Sequence, residues 1–183
     1  TWMWMFGKHT APSPYAGSSR GLFPGDTGLY SQKEYLNMPF DATFFSISHP
    51  QTGNVLLYSN GFKVHGGNLK PIAGGDTINF APRWELGDST FGGMRIPNTS
   101  VIVPYPGKED SMYLLFHAMY VDPTPFWLGE MRYSVMRVTN DTDGTMVIRD
   151  RVLGTAEPGP GNVAACKHGN GRDWWLSFVE ADT

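Results

Sequence analysis

The segment of this sequence with the clearest potential for chemistry is Asn140-Asp141-Thr142-Asp143-Gly144-Thr145. Alternating Asp and Asn oxygens around a Gly turn are the donors that a hard cation such as Ca²⁺ prefers. A full calcium loop also needs an acidic residue near its end. Asp150 stands at about that distance, but Met146-Val147-Ile148 between them is typical of a strand. The segment is therefore interpreted as a hairpin turn, with Asp141 and Asp143 as weak candidates for a metal site.

The remaining polar candidates are scattered along the chain. No two histidines have the close spacing of a zinc-binding pair; they are His9, His49, His65, His117 and His168. For His168 we expect a hydrogen bond that stabilises a turn. A propeller glycosidase would need two acids flanking the bond to be cut, and nothing in the sequence pairs any two of the acidic candidates, Asp26, Asp41, Asp76, Asp122 and Glu130. They are interpreted as solvated loop acids, and no catalytic residue, metal or cofactor is predicted.

Aromatic side chains and one cysteine complete the candidates. Aromatic rings on loops can stack on sugars or fill a pocket of a partner protein. The loop rings singled out as a binding surface are Trp84, Phe91, Phe126 and Trp127. The alternative is that such rings cap the sheets. The single cysteine, Cys166, excludes an intrachain disulfide, and its strand-like surroundings predict a small buried residue.

Composition favours an all-β fold. Charged residues make up 17% of the 183 residues and aromatics 14%, with 22 Gly and 14 Pro, a mixture rich in turns and poor in helix formers. The length suits a single domain, residues 1–183. The net charge of −3 and the absence of Lys/Arg runs argue against nucleic-acid binding. No apolar run reaches the length of a membrane-spanning helix, so no membrane insertion is predicted.

Three hairpins recur along the chain and provide the frame for these candidates. Val55-Leu56-Leu57-Tyr58, Tyr113-Leu114-Leu115-Phe116 and Trp174-Trp175-Leu176-Ser177 each follow a strand and a Gly-containing polar turn. A further pairing is predicted between residues 131–140 and 146–153. Repetition of one β unit at a near-constant period is typical of a β-propeller, in which neighbouring blades bury one another's faces. The sequence therefore predicts a propeller-like arc of about three blades, with a β-sandwich as the alternative.

This interpretation makes two further predictions about elements. Residues 8–37 are expected to be loop-like, with a possible short strand at Gly28-Leu29-Tyr30, and residues 40–48 are expected to form a strand. The repeated strands should be mostly buried, at Val55, Leu57, Val101, Val103, Leu114, Phe116, Tyr133, Val135, Trp175 and Leu176.

Five segments in the right order resemble a known family. They are Trp4-Met5-Phe6-Gly7; residues 44–61, which read FFSISHPQTGNVLLYSNG; residues 100–107 with Tyr113-Leu114-Leu115-Phe116; residues 131–137, MRYSVMR; and residues 164–175, AACKHGNGRDWW. They resemble the propeller-like region of large secreted and cell-surface proteins of Bacteroidetes. Those proteins often end in a gliding-motility-associated sorting domain and leave the cell through the type IX secretion system. The family's T-D-G is Ser59-Asn60-Gly61 here.

The resemblance implies a non-catalytic binding or scaffold module that is extracellular or on the cell surface. Such modules serve in adhesion, in filaments, in surface layers or in the gliding apparatus. The expected partners are other protein subunits or downstream domains of the same protein, with surface glycans as a further ligand class. A carbohydrate-active enzyme or glycan-binding module is the alternative. Because propellers close with about four to eight blades, residues 1–183 are expected to form only part of a working unit.

Overall fold

The computed structural model describes residues 2–7, 17–23, 30–35, 37–79, 92–122, 127–140, 142–154 and 163–180; within these, residues up to 35, residues 120–122 and residues 127–128 are described by their backbone alone. These ranges form an all-β structure without a helix. It follows that no helix within them could cross a membrane.

Twelve strands make up the described structure. They are β1 (Trp2–Gly7), β2 (Gly17–Phe23), β3 (Tyr30–Tyr35), β4 (Phe45–Ser48), β5 (Val55–Ser59), β6 (Val64–Gly66), β7 (Ser100–Pro104), β8 (Met112–Asp122), β9 (Trp127–Thr139), β10 (Asp143–Gly154), β11 (Ala164–Lys167) and β12 (Trp174–Ser177).

Every sheet is built from consecutive strands that pair antiparallel. The sheets are β1–β3, β4–β6, β7–β10 and β11–β12, and within each one the strand order follows the chain. The first strands of successive sheets contact one another, β1 with β4, β4 with β7, and β7 with β11. The three hairpins found in the sequence, β4–β5, β7–β8 and β11–β12, thus supply the first two strands of three successive sheets.

Left-handed glycines close the turns of these hairpins. Gly53, Gly107 and Gly171 have φ values of 72°, 77° and 74°, a region that other residues enter only at a steric cost. In two of these turns a histidine side chain accepts a backbone hydrogen bond. His49 Nδ1 accepts the N–H of Gln51 at 3.2 Å, and His168 Nδ1 accepts the N–H of Asn170 at 3.1 Å. The hydrogen bond expected at His168 is therefore confirmed.

The regions outside the hairpins were predicted less well. Residues 8–37 contain more strand than expected, because β2 and β3 lie within them and pair with β1 and with each other. Of the short strand considered at residues 28–30, Tyr30 begins β3, and the other two residues lie outside the described part of the chain. The strand expected over residues 40–48 begins only at Phe45. The predicted pairing of residues 131–140 with 146–153 is confirmed, and it extends the sheet of the second hairpin to four strands.

The sheet β7–β10 has apolar side chains packed on both faces. Along β8, Tyr113 and Leu115 belong to a core cluster shared with β5, whereas Phe116 and Ala118 contact a second cluster that includes Met131. Side chains alternate between the faces of a strand, so a strand covered on both faces needs an almost continuous apolar run. The sequence YLLF in β8 meets this requirement.

The predicted core was right for only part of its members. Leu57, Val103 and Val135 are buried, and Trp175 is 61% exposed. The others are half-buried, namely Val55, Val101, Leu114, Phe116, Tyr133 and Leu176. Cys166, predicted to be buried, is exposed, because it lies directly opposite Trp175 on the outer face of the last hairpin. Within the described residues no sheet covers that face.

Strand β6 is held against the turn between β9 and β10. A Cβ atom on Gly66 would collide with the carbonyl oxygen of Thr142. Asn68 reinforces the contact, since its amide donates to the carboxylate of Asp143. The absence of a side chain at Gly66 is therefore a condition for the packing of sheet β4–β6 on sheet β7–β10.

We expect Gly66→Ala to lower the free energy of unfolding by about 2–3 kcal/mol, because the new methyl group must displace backbone. The measurement is urea denaturation followed by circular dichroism. Gly154→Ala is the matched control, as nothing lies within 4 Å of its added Cβ, and it should change the stability by less than about 0.5 kcal/mol. Equal stability of the two variants would contradict the proposed contact.

Candidate functional site

The proposed cation segment is a hairpin turn in the structure. Asp143 is exposed and begins β10 directly opposite Thr139 of β9. Its carboxylate accepts a hydrogen bond from the Asn68 amide, while Asp141 lies outside the described residues. In the part of the chain that the structure covers, no three His, Cys, Asp or Glu side chains come together as metal ligands.

Of the acids considered as a catalytic pair, the side chains of Asp41, Asp76 and Glu130 are described. Asp41 lies 3.6 Å from Arg95 Nε, and Glu130 lies 2.6 Å from a terminal nitrogen of Arg132. Asp76 is exposed in a loop. For Asp122 only the backbone is described, and Asp26 lies outside the described residues.

The candidate binding-loop aromatics are not tested by the structure. Trp84, Phe91 and Phe126 lie outside the described residues. The backbone of Trp127 starts β9 opposite Asp122, and its side chain is not described. Two other groups of residues, one buried and one exposed, are the sites that the structure itself brings together.

The buried site is a polar network around His117, near the middle of β8. His117 Nδ1 lies 2.6 Å from Asn79 Oδ1, and Nε2 lies 3.1 Å from Ser134 Oγ. Asp150 completes the network, since its Oδ1 lies 3.5 Å from His117 Nε2 and 3.2 Å from the backbone nitrogen of Asn79. The network therefore joins strands β8, β9 and β10 to the loop that follows β6.

The hydrogen bonds define the tautomer of His117. The amide nitrogen of Asn79 donates to Gly61 O at 3.0 Å, so its Oδ1 is the acceptor that faces His117. The imidazole consequently carries its proton on Nδ1, and Nε2 accepts the hydroxyl proton of Ser134. Burial lowers the pKa of His117 to about 4, against the opposing influence of Asp150, so the ring is neutral near pH 7.

Serine, imidazole and an acceptor behind the imidazole form the arrangement of an activated nucleophile. Catalysis also requires that a substrate reach the serine oxygen. His117, Ser134 and Asn79 all have no exposed surface, so the network is closed to substrate. Its role in this conformation is structural, as buried polar groups must be hydrogen-bonded among themselves.

A second buried histidine supports the neighbouring sheet. His65 of β6 lies across from Tyr58 of β5, with its Nδ1 3.3 Å from the phenolic oxygen. Burial and the charge of Lys63 lower the pKa of His65 to about 4. Burial also raises the pKa of Tyr58 well above its usual value. Both rings are therefore neutral partners within the core.

Asn60 fixes the corner that leaves β5. Its Oδ1 accepts the backbone N–H groups of Phe62 at 3.0 Å and Lys63 at 2.9 Å. Its Nδ2 donates to Pro39 O at 3.1 Å and Gly92 O at 3.2 Å. The side chain is fully buried, and both ends of its amide are in use. An aspartate here would have no N–H to donate to the two carbonyls.

The exposed site lies on the outer face of the hairpin β11–β12. Cys166 faces Trp175 across the pair, and Ala164 faces Ser177; all four are exposed. The opposite face of the same hairpin is turned toward the core, where Leu176 packs on the second apolar cluster. The hairpin thus presents one large ring, Trp175, among small side chains.

The turn of this hairpin adds fixed polar groups beside Trp175. The ring centre of His168 lies 5.1 Å from that of Trp175, with the ring planes tilted by 44°. Asn170 orders the turn, because its Oδ1 accepts the N–H groups of Arg172 and Asp173 and its Nδ2 donates to Asp173 Oδ2 at 2.7 Å. Trp175 was predicted from its strand to be buried, and this prediction is wrong. The doublet Trp174-Trp175 could have indicated that one ring is exposed, since adjacent strand residues face opposite ways.

Comparison of the chain with protein-family models, with curated proteins and with solved structures finds no match.

We expect the two buried histidines to make stability depend on pH. Unfolded histidine binds a proton near pH 6.5, whereas His65 and His117 bind one in the folded state only near pH 4. The unfolded state therefore binds more protons over this interval, and stability falls as the pH is lowered, by at most about 1.4 kcal/mol per pH unit and per histidine. Urea unfolding at pH 7.5 and pH 5.0 measures the fall, and His65→Gln should reduce it. Equal stability at both pH values would show that the rings are not held neutral.

We expect Asn60→Asp to destabilise the protein by roughly 3 kcal/mol or more at pH 7, since it removes two donated hydrogen bonds and buries a carboxylate. Asn54→Asp is the matched control, because Asn54 is exposed at the start of β5 and its change should stay within about 0.5 kcal/mol. The melting temperatures of the two variants, measured under the same conditions, test whether Asn60→Asp destabilises the protein more than its control does. An Asn60→Asp variant as stable as its control would mean that the amide donor is dispensable.

Proposed function

We propose that this chain is a non-catalytic binding and scaffold module of an extracellular or cell-surface protein, folded as a propeller-like arc. The arc is supported by the order of the strands, because every sheet takes consecutive strands and the first strands β1, β4, β7 and β11 adjoin in chain order. Propellers repeat small antiparallel sheets radially around a central axis. The first strands are then the inner strands of successive blades.

The competing β-sandwich has two sheets, and Greek-key connections carry the chain between them. The described sheets have no such crossing, since each is a simple meander. On the propeller interpretation, sheet β1–β3 adds a fourth blade to the three that contain the recurring hairpins. The sheet β7–β10 is then a full four-stranded blade, and the clusters on its two faces are contacts between blades.

The observation that carries the non-catalytic interpretation is the complete burial of His117, Ser134 and Asn79. The Ser134 hydroxyl has the imidazole partner of an activated nucleophile, and it has no exposed surface. The second candidate, a carbohydrate-active enzyme, would need two acids close together. Among the described acids, Asp41 and Glu130 are each paired with an arginine instead.

Exposed apolar side chains support a role in binding other protein subunits. The outer strand β10 exposes Val147, Val152 and Leu153, at 46%, 50% and 44%. β10 is also an edge strand whose pairing with β9 is broken by register shifts, an irregularity that limits uncontrolled strand addition. Binding of another subunit through the exposed apolar side chains of β10 is therefore favoured over binding by addition of a strand to the sheet. Location at the cell surface rests on the resemblance to the Bacteroidetes proteins.

A hydrolysis assay separates the two candidates. We expect no release of p-nitrophenol from p-nitrophenyl acetate or from p-nitrophenyl glycosides above the rate in buffer, and the same result for Ser134→Ala. Ser111→Ala, which changes an exposed serine, is the control for the preparation. Hydrolysis by the wild-type chain that Ser134→Ala abolishes and Ser111→Ala retains would overturn the non-catalytic proposal.

A further inference from the structure

The outer face of the hairpin β11–β12 combines an open aromatic ring with polar groups held at one end. Trp175 exposes 61% of its surface, although a ring of this size normally contributes to a core or to a contact. Its neighbours on the same face of the hairpin are Ser177 along the strand, Cys166 opposite and Ala164 diagonally opposite. All three are small, so they form a low shelf beside the ring.

The dimensions of this shelf suit one sugar ring. Trp175 and Ser177 are two residues apart on an extended strand, a separation of about 7 Å. The space between the Trp175 side chain and Ser177 is therefore comparable in width to a pyranose. A pyranose that presents its C–H groups to the indole would cover the apolar surface and keep its hydroxyls at the rim.

The end of the shelf toward the turn offers directed hydrogen bonds. His168 Nδ1 accepts the N–H of Asn170, so in the neutral ring the proton is on Nε2. The ring centre lies 5.1 Å from that of Trp175. Asp173 is fixed on the same turn by Asn170 and by Arg172, which donates from Nε to Asp173 Oδ1 at 3.0 Å. A donor and a carboxylate acceptor are thus in place before a ligand arrives, which limits the entropy lost on binding.

The charges around the shelf favour a neutral ligand. Arg172 is paired with Asp173. Lys167 lies over the ring of Trp174, on the other face of the hairpin, at 5.2 Å. Backbone N–H groups at Gly107 and Glu109 lower the pKa of the Glu109 carboxyl, and the charges of Lys167 and Arg172 add to this effect. Among these described groups, two cations are therefore matched by two anions, Asp173 and Glu109, and they give no excess of positive charge that would select an acidic sugar.

From this geometry we infer that the face of β11–β12 centred on Trp175 is a binding site for a neutral glycan, in which a pyranose stacks on the Trp175 indole and bonds to His168 and Asp173. The inference rests on the non-catalytic binding role proposed above and names a ligand class for it. The ring supplies contact area, and the turn supplies the orientation of the sugar. Neither group cleaves a bond.

The test uses the full 183-residue chain and three neutral probes, cellohexaose, mannohexaose and chitohexaose, with polygalacturonate as an acidic comparison. Isothermal titration and tryptophan fluorescence should show binding of at least one neutral probe, with a Kd of about 1 mM or tighter for a site of one or two sugar rings. Polygalacturonate should bind more weakly. Preference for polygalacturonate would overturn the assignment to neutral glycans.

Variants locate the binding on the shelf. Trp175→Ala should weaken it at least tenfold, Trp175→Phe should retain part of it, and His168→Ala should weaken it about threefold to tenfold. Phe44→Ala, which removes an exposed aromatic ring on another part of the chain, should leave it unchanged. Thermal unfolding monitors the fold of every variant.

Three further outcomes would overturn the proposal. The first is no binding of any neutral probe at millimolar concentration, and the second is binding that survives Trp175→Ala. The third is concentration-dependent self-association that Trp175→Ala removes, because this result would assign the face to a second copy of the chain. The hydrolysis assay gives a separate answer, because a failed glycan titration leaves the non-catalytic role intact. Conversely, hydrolysis that depends on Ser134 would reject that role even if Trp175 bound a sugar.

Discussion

Burial of a sheet on both of its faces is the constraint on which the rest of this structure depends. Sheet β7–β10 lies between two apolar clusters, one shared with sheet β4–β6 and one shared with β12. Covering both faces removes the polar side chains near the middle of the inner strands from water. His117 and Ser134 lie in such strands and have no exposed surface, so their hydrogen bonds must be made within the protein.

The polar network follows directly from that constraint. A neutral imidazole needs one acceptor and one donor, and the structure supplies Asn79 at Nδ1 and Ser134 at Nε2. Asn79 can reach His117 because its backbone adopts a left-handed conformation, with φ of 58°, which asparagine tolerates better than most residues. The loop after β6 is thereby fixed to β8 by the hydrogen bond between Asn79 and His117. The same hydrogen bonds would serve catalysis in an open cleft, and burial is what distinguishes the two roles here.

Local sequence predicted the hairpins well and the burial of individual side chains poorly. Turn glycines such as Gly53 and Gly171 and the apolar run of β8 report directly on backbone geometry and on two-sided packing. Strands β2 and β3, with sequences GSSRGLF and YSQKEY, were missed because neither contains a β-branched residue and their aromatic residues lie only at the strand ends. Their pairing depends on β1, which is a tertiary effect. The network around His117 was not predictable either, since its members are up to 71 residues apart.

Trp174 and Trp175 show most clearly why the candidate site needed a structure. The two rings are adjacent in β12 and point to opposite faces of one hairpin. Their environments must therefore differ, but the sequence alone does not indicate which ring is exposed. The choice is made by Leu176 and Phe178, which pack on the second cluster and turn the face of Trp174 inward. Trp175 is then left on the outer face with Cys166 and Ser177. A hairpin that turns one half-buried indole to its inner face therefore exposes the other, and the small residues around it determine what that exposed ring can bind.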